Sequence, residues 1–326
     1  MVLRIHFGCD SLARTTFAQQ PDPMWEVLLS LHQLQTDDDP EVFGRWRRRA
    51  RSRLGSAERA LLQLAPPVGY SPDFLTPIEA ADGLRAGLDA LAATPAERLR
   101  NDLDRLAASV RLPAWAGRLA RGDESVLGRL AETVRSYHRT LIAPYWAGIA
   151  GSVQGDLAKR SRTALAGGFG KLSHDLHHTL TWRPPVLELD IGDLDRDLHL
   201  GDRGLHIIPS YFCWRTPIML RDPALAPVLV YPVRREPGGL EPQPGAAADH
   251  GRAVAAVLGR TRAAVLTAVS VSSCSTTELA RRVGISPASA SEHARVLCQA
   301  GLISTRRMGS AVRHTIGHRG AVLLEG

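Results

Sequence analysis

Apolar positions follow helical spacing over most of the first 180 residues. Segment 23–35 is rich in Trp and Leu, with Asp22 placed to cap it. Helices are expected over 40–54 and 56–64, the second stopped by Pro66-Pro67. Tyr70-Ser71-Pro72-Asp73-Phe74-Leu75-Thr76-Pro77 reads as an ordered loop leading into a helix over 78–92. Thr94-Pro95-Ala96-Glu97 supplies a capping residue, a proline at the first helical position and a Glu in the capping-box place, and so opens a helix to about Ser109. Two long helical stretches follow near 123–149 and 152–180, with Pro144 placed to kink the first.

The pattern changes at Trp182. Arg183-Pro184-Pro185 cannot continue a helix, and Val186-Leu187-Glu188-Leu189-Asp190-Ile191 alternates apolar and acidic residues as a half-buried strand does. Short strands are also expected over 205–208, 217–220 and 228–231. The Pro-, Gly- and Ala-rich stretch 235–248 reads as a linker. Beyond it, helices are expected over 252–258, 261–269, 276–283 and 287–300, then two strands over 303–307 and 311–316 joined through Met308-Gly309-Ser310. The expected fold class is mainly α with a small β segment (α+β). Its parts are a helical N-terminal domain (1–181), a small β region packed on it (182–234), a linker (235–250) and a C-terminal winged helix-turn-helix (251–326).

Charge sharpens that division. The net charge is +7, and residues 251–326 hold ten Arg, no Lys and three acids, so the whole excess lies there. All 17 aromatic residues precede Gly251. Proteins that hold single strands or RNA loops stack bases on aromatic rings, so that mode is disfavoured for the basic block. Phosphate contact with groove reading of a duplex needs no aromatic. The N-terminus has no apolar stretch of signal-peptide length and no run approaches a membrane span, so a cytoplasmic protein is expected. Cys9, Cys213, Cys274 and Cys298 form no C-x-x-C pair, which argues against a disulfide framework or a Cys-rich zinc site.

The chemistry concentrates in 275–301. A short amphipathic helix ends at Gly284, and Ser286-Pro287 starts another with Ser as N-cap and Pro at the first position. A few residues around a glycine between two short helices make the turn of a helix-turn-helix. In the second helix Ala290, Ala294 and Leu297 share one face, while Ser289, Ser291, Glu292 and Arg295 point away from it, as a helix entering a major groove requires. Thr277, Pro287, Ala288 and His293 complete the expected helix contacts, and Arg306, Arg307, Ser310 and Arg313 those of the hairpin. Arg residues there suit phosphates or the adjacent minor groove. Glu292 has two readings, an acceptor for a cytosine amino group or a salt bridge to Arg295.

With Thr277-Glu278-Leu279-Ala280, Gly284-Ile285-Ser286, Ser289-Ala290-Ser291-Glu292-His293 and Val296-Leu297-Cys298-Gln299-Ala300-Gly301-Leu302-Ile303 in place, the segment from Leu258 to Ile316 resembles the winged helix-turn-helix of ArsR-type bacterial repressors. The preceding residues, chiefly 70–77 and 182–188, resemble a helical domain of unknown function that precedes such winged helices in actinobacterial regulators. The resemblance implies a DNA-binding transcriptional regulator, a repressor acting on double-stranded DNA as a homodimer, with the N-terminal region for dimerisation, small-molecule effector sensing or both. Two departures bear on it. ArsR-type arsenic and cadmium sensors carry Cys-x-Cys where this chain has Ser275-Thr276-Thr277, with Cys274 alone upstream, so metal sensing is not implied there. The segment after the wing, 317–326, is also short, which moves the expected dimer contacts toward the N-terminal region.

Other constellations have plainer readings. His174-Asp175-Leu176-His177-His178 would place two imidazoles at i, i+4 on a helix, a spacing that binds zinc or copper, yet no third ligand is visible and a polar helix end explains it. The run Arg45 to Arg53 follows three Asp, the favourable dipole order for a solvated helix face, with an auxiliary DNA contact as the alternative. No nucleophile motif, phosphate-binding loop or paired carboxylates appear, and no cofactor or metal is expected. An enzyme with an N-terminal active site and an appended winged helix, and a winged helix serving protein interaction, remain as alternative readings.

Overall fold

Asp22 opens the first helix, Pro23–Leu34, its carboxylate accepting from the backbone N–H of Met24 and Trp25 at 2.9 and 3.0 Å. Asp39 caps the next, Pro40–Arg53, whose inner face buries Val42, Phe43, Trp46 and Ala50. The structure, a computed structural model, describes residues 2–190, 195–235, 240–242, 246–271, 273–308 and 311–325. Its architecture is α+β, mainly helical with three small sheets. The chain divides into two units, Met1–Pro242 and Gln243–Gly326.

Local chemistry moves several helix ends from their expected places. The 56–64 helix is shorter, Ser56–Leu61. The expected 78–92 helix is broken at Gly83, whose φ of 109° no helix accommodates, into a tight turn Ile78–Asp82 and a helix Leu84–Ala92. Thr94 does not cap the helix Ala96–Ala107; its hydroxyl donates back to the Leu91 carbonyl at 2.8 Å. Helix Glu124–Tyr137 runs on through a wide turn, His138–Ile142, to the expected disruption at Pro144. Trp146–Leu176 then continues as one long element bent at Gly168, where φ is 64°.

The strands carry the main correction to the expected domains. The N-terminal stretch is not wholly helical, because Val2–His6 and Thr16–Phe17 are strands. Leu3 and Ile5 are buried between half-buried Val2, Arg4 and His6, the period of two that a strand requires. Val2–His6 lies in a four-stranded sheet, antiparallel to Val186–Asp190 and parallel to Arg196–His199, with Leu180–Arg183 on the outer edge. Thr16–Phe17, His206–Ser210 and Val228–Pro232 run parallel in a second sheet, closed by antiparallel Ile218–Met219. Ile208, Val228 and Val230 join the helical core, while Ile207, Leu229 and Tyr231 join the core beneath the first sheet. Both faces of this sheet are covered, which explains the unbroken apolar run Val228-Leu229-Val230-Tyr231.

The expected linker is also shorter than its composition suggests. Arg235 donates to the Tyr211 carbonyl at 2.7 Å, Leu240 is buried in the helical core, and Glu241 pairs with Arg45 and Arg49. Helix Ala246–Leu258 begins inside the stretch read as linker. The run Arg45 to Arg53 is largely engaged within its own unit, with Arg47 buried and donating to the Gln33 and Asp38 carbonyls at 2.8 and 2.6 Å.

In the C-terminal unit, helices Ala246–Leu258, Arg260–Val271, Thr276–Val283 and Pro287–Gln299 are followed by the hairpin Ile303–Met308 and Ala311–Ile316 and by a short helix His318–Glu325 that the sequence pattern did not suggest. Its core gathers Val265, Leu266, Val269, Leu279, Ala290, Ala294, Leu297 and Ile303. No single helix among the described residues is long and apolar enough to cross a membrane.

Candidate nucleic-acid interface

Helix Thr276–Val283 starts at a reciprocal cap: the Glu278 N–H donates to Ser275 Oγ, and the Ser275 N–H to Glu278 Oε2, both at 3.2 Å. Gly284 ends it in the left-handed conformation, with φ of 74°, and Ser286 then caps Pro287–Gln299 by accepting the Ser289 N–H at 3.1 Å. Two helices joined so tightly bury Leu279 and Ala280 of the first against Ala290, Ala294 and Leu297 of the second. Small residues at two of those three positions let the helices approach closely.

The opposite face of the second helix is open. Pro287, Ala288, Ser291, Glu292 and Arg295 are exposed there, as is Thr277 at the start of the first helix. Ser289 is half-buried, its backbone N–H taken by the cap. His293 departs from its expected position among the groove-facing residues. It is half-buried and its Nδ1 is enclosed without a hydrogen-bond partner, because it follows Ala290 by three residues and turns toward the inner face. The expected Glu292–Arg295 salt bridge is not formed among the described residues; Arg295 donates instead to Gln299 Oε1 at 3.4 Å, leaving the Glu292 carboxylate open.

The hairpin places Arg306 and Arg313 directly opposite each other, both exposed. Like charges in that register repel, and a polyanion laid across them removes the repulsion. Arg313 also donates to Ser273 Oγ at 3.0 Å. Arg307 lies one register on, opposite Val312; Ser310 is outside the described residues.

Two features were missed by sequence reasoning. Cys274–Ser275 forms a third strand of the wing, pairing His314 with Cys274 and Arg313 with Ser275. His314 is buried, its Nε2 facing Thr276 Oγ1 and its Nδ1 facing Thr305 Oγ1, each at 3.0 Å, so one imidazole ties the first helix to the wing. Burial lowers its pKa from the ordinary histidine value. The alternation Val312, His314, Ile316 was the signal for its inward position, and Ser275-x-x-Glu278 was the signal for the cap.

The His174–His178 pair does not have the expected spacing, since the helix ends at Leu176 and His177 is extended. The rings of His177 and His178 lie against each other at 4.2 Å, and among the described residues no three metal-ligating side chains converge.

Residues 259–305 match the family model described as bacterial regulatory protein, arsR family. Neither a curated protein nor a solved structure matches the chain. The C-terminal unit therefore carries an ArsR-family helix-turn-helix, the DNA-binding domain of bacterial transcriptional regulators.

Proposed function

We propose that this protein is a transcriptional repressor that reads duplex DNA as a homodimer. Helix Pro287–Gln299 enters the major groove, presenting Ser291, Glu292 and Arg295 to base edges. Arg306 and Arg313, with Arg307 on the same strand pair, contact phosphates or the adjacent minor groove. The N-terminal unit supplies dimer contacts, effector sensing or both, rather than catalysis. The observation that carries this reading is the open polar helix face beside a facing pair of arginines, in residues 251–326, which hold the chain's whole charge excess. Genome-wide footprinting of the tagged full-length protein tests it. Discrete palindromic footprints upstream of genes, with those genes rising on deletion, are expected. Footprints without half-site symmetry would remove the dimer, and falling transcripts on deletion would remove the repressor.

A further inference from the structure

A cavity of about 570 Å³ opens in the N-terminal unit, lined by His177, His178, Trp214, Arg215, Arg234 and Arg235 among others. Its size is that of small-molecule sites. Trp214 and Arg215 follow the carboxyl end of strand His206–Ser210, and Arg234 and Arg235 follow that of its parallel neighbour Val228–Pro232. Carboxyl ends of adjacent parallel strands are where open α/β sheets receive ligands.

The charges along the wall are unequal. Asp175, the carboxylate lining the cavity, is already answered by Arg160 at 2.7 Å and Lys159 at 3.8 Å. Arg215 pairs with Asp38 at 2.8 Å. Arg235 is held among the rings of Phe43, Trp214 and Tyr211, at 5.2, 5.2 and 5.6 Å, and donates to the Tyr211 and Cys213 carbonyls. Among the described residues neither Arg234 nor Arg235 has a carboxylate at ion-pair distance. Glu26 and Asp39 act on Arg235 only from beyond ion-pair distance, so this largely desolvated guanidinium, next to a second one, is left short of negative charge, a deficit that a bound oxyanion fills. The protein has fixed Arg235 in place with rings and carbonyls, which orient a cation without neutralising it.

We propose that this cavity binds a small molecule bearing a carboxylate or a phosphate, its oxyanion held by Arg234 and Arg235 and its body against Trp214. This gives a chemical class to the sensing role proposed above and rests on that reading only for its effect on DNA, not for binding itself.

The test uses the full-length protein, with sodium phosphate and sodium benzoate as probes against sodium chloride of equal ionic strength. At least one oxyanion is expected to raise the thermal midpoint and to give a saturable calorimetric isotherm. Arg234→Ala, an exposed position that does not threaten the fold, is expected to weaken that binding about tenfold, while Lys171→Ala, an exposed cation outside the cavity, leaves it unchanged. The preferred probe distinguishes a phosphate ligand from a carboxylate one. No oxyanion-specific isotherm, undiminished binding in Arg234→Ala, or equal loss in Lys171→Ala would each overturn the site. Duplex affinity measured with and without the bound probe is a separate readout: binding with unchanged duplex affinity keeps the site and removes the sensor.

Discussion

In the N-terminal unit Arg47 and Arg160 lie inside the fold, 4% and 3% exposed, with every approach answered by a carbonyl or a carboxylate. In the C-terminal unit Arg281, Arg295, Arg306 and Arg313 stand in solvent, and Arg306 faces Arg313 across the hairpin. The same residue type is a structural tie in one unit and an uncommitted charge in the other. Arg47 and Arg160, taken from water, find carbonyls and carboxylates as partners, whereas the exposed arginines of the C-terminal unit remain available to an external anion.

The sharpest way to break this comparison is to remove an arginine from each side. Arg160→Ala leaves Asp156, itself buried, without its cation, and is expected to cost about 3–5 kcal/mol in chemical denaturation. Tyr231, whose hydroxyl donates to Asp156 at 2.8 Å, reports the same disruption. A loss no larger than that of an ordinary surface substitution would mean that Arg160 is not a structural tie.

A buried carboxylate sharpens the same side. Glu26 accepts from Ser210 Oγ and from the Tyr211 and Phe212 N–H groups, yet burial pushes its carboxyl from 4.5 up to about 7. The folded chain then holds a proton that the unfolded chain has released. Its contribution to stability is full below about pH 4.5 and is lost as pH rises through about 7, a change on the order of a few kcal/mol. Denaturation of Glu26→Gln, less stable overall, is expected to show a shallower decline across that window than the parent; an identical slope assigns the pH dependence elsewhere.

On the other side, Arg306→Ala with Arg313→Ala is expected to leave stability within about 0.5 kcal/mol. The pair should lower the slope of log affinity against log salt by about 2 on every duplex tested by fluorescence anisotropy. An unchanged slope takes the hairpin off the phosphates. The smallest effect is expected from Ser291→Ala, which should shift preference among duplex sequences by about 1 kcal/mol at one position while leaving the salt slope alone. Uniform weakening would place Ser291 on the backbone instead.

The two units also differed in how far the sequence disclosed them. Turn chemistry exposed the helix-turn-helix, because Gly284, Ser286 and Pro287 act within a few residues of one another. The helices 23–34 and 40–53 were legible for the same reason, each with an Asp and a Pro at its start. What stayed hidden depended on distant partners. Val2–His6 pairs with Val186–Asp190 and Arg196–His199, nearly two hundred residues away, and its five residues carry no turn signal of their own. Arg235 sat in a Pro- and Gly-rich stretch that composition marks as linker, and only the rings of Phe43, Tyr211 and Trp214 show that it is held. His293 was misplaced because a three-residue step from Ala290 falls on the border between the inner and outer faces.

His314 joins Thr276 at the start of one helix to Thr305 in the hairpin through a single flat ring. That ring works as a strut. It braces the first turn of helix Thr276–Val283 against strand Ile303–Met308 through two polar contacts, beside the apolar packing that holds the unit together.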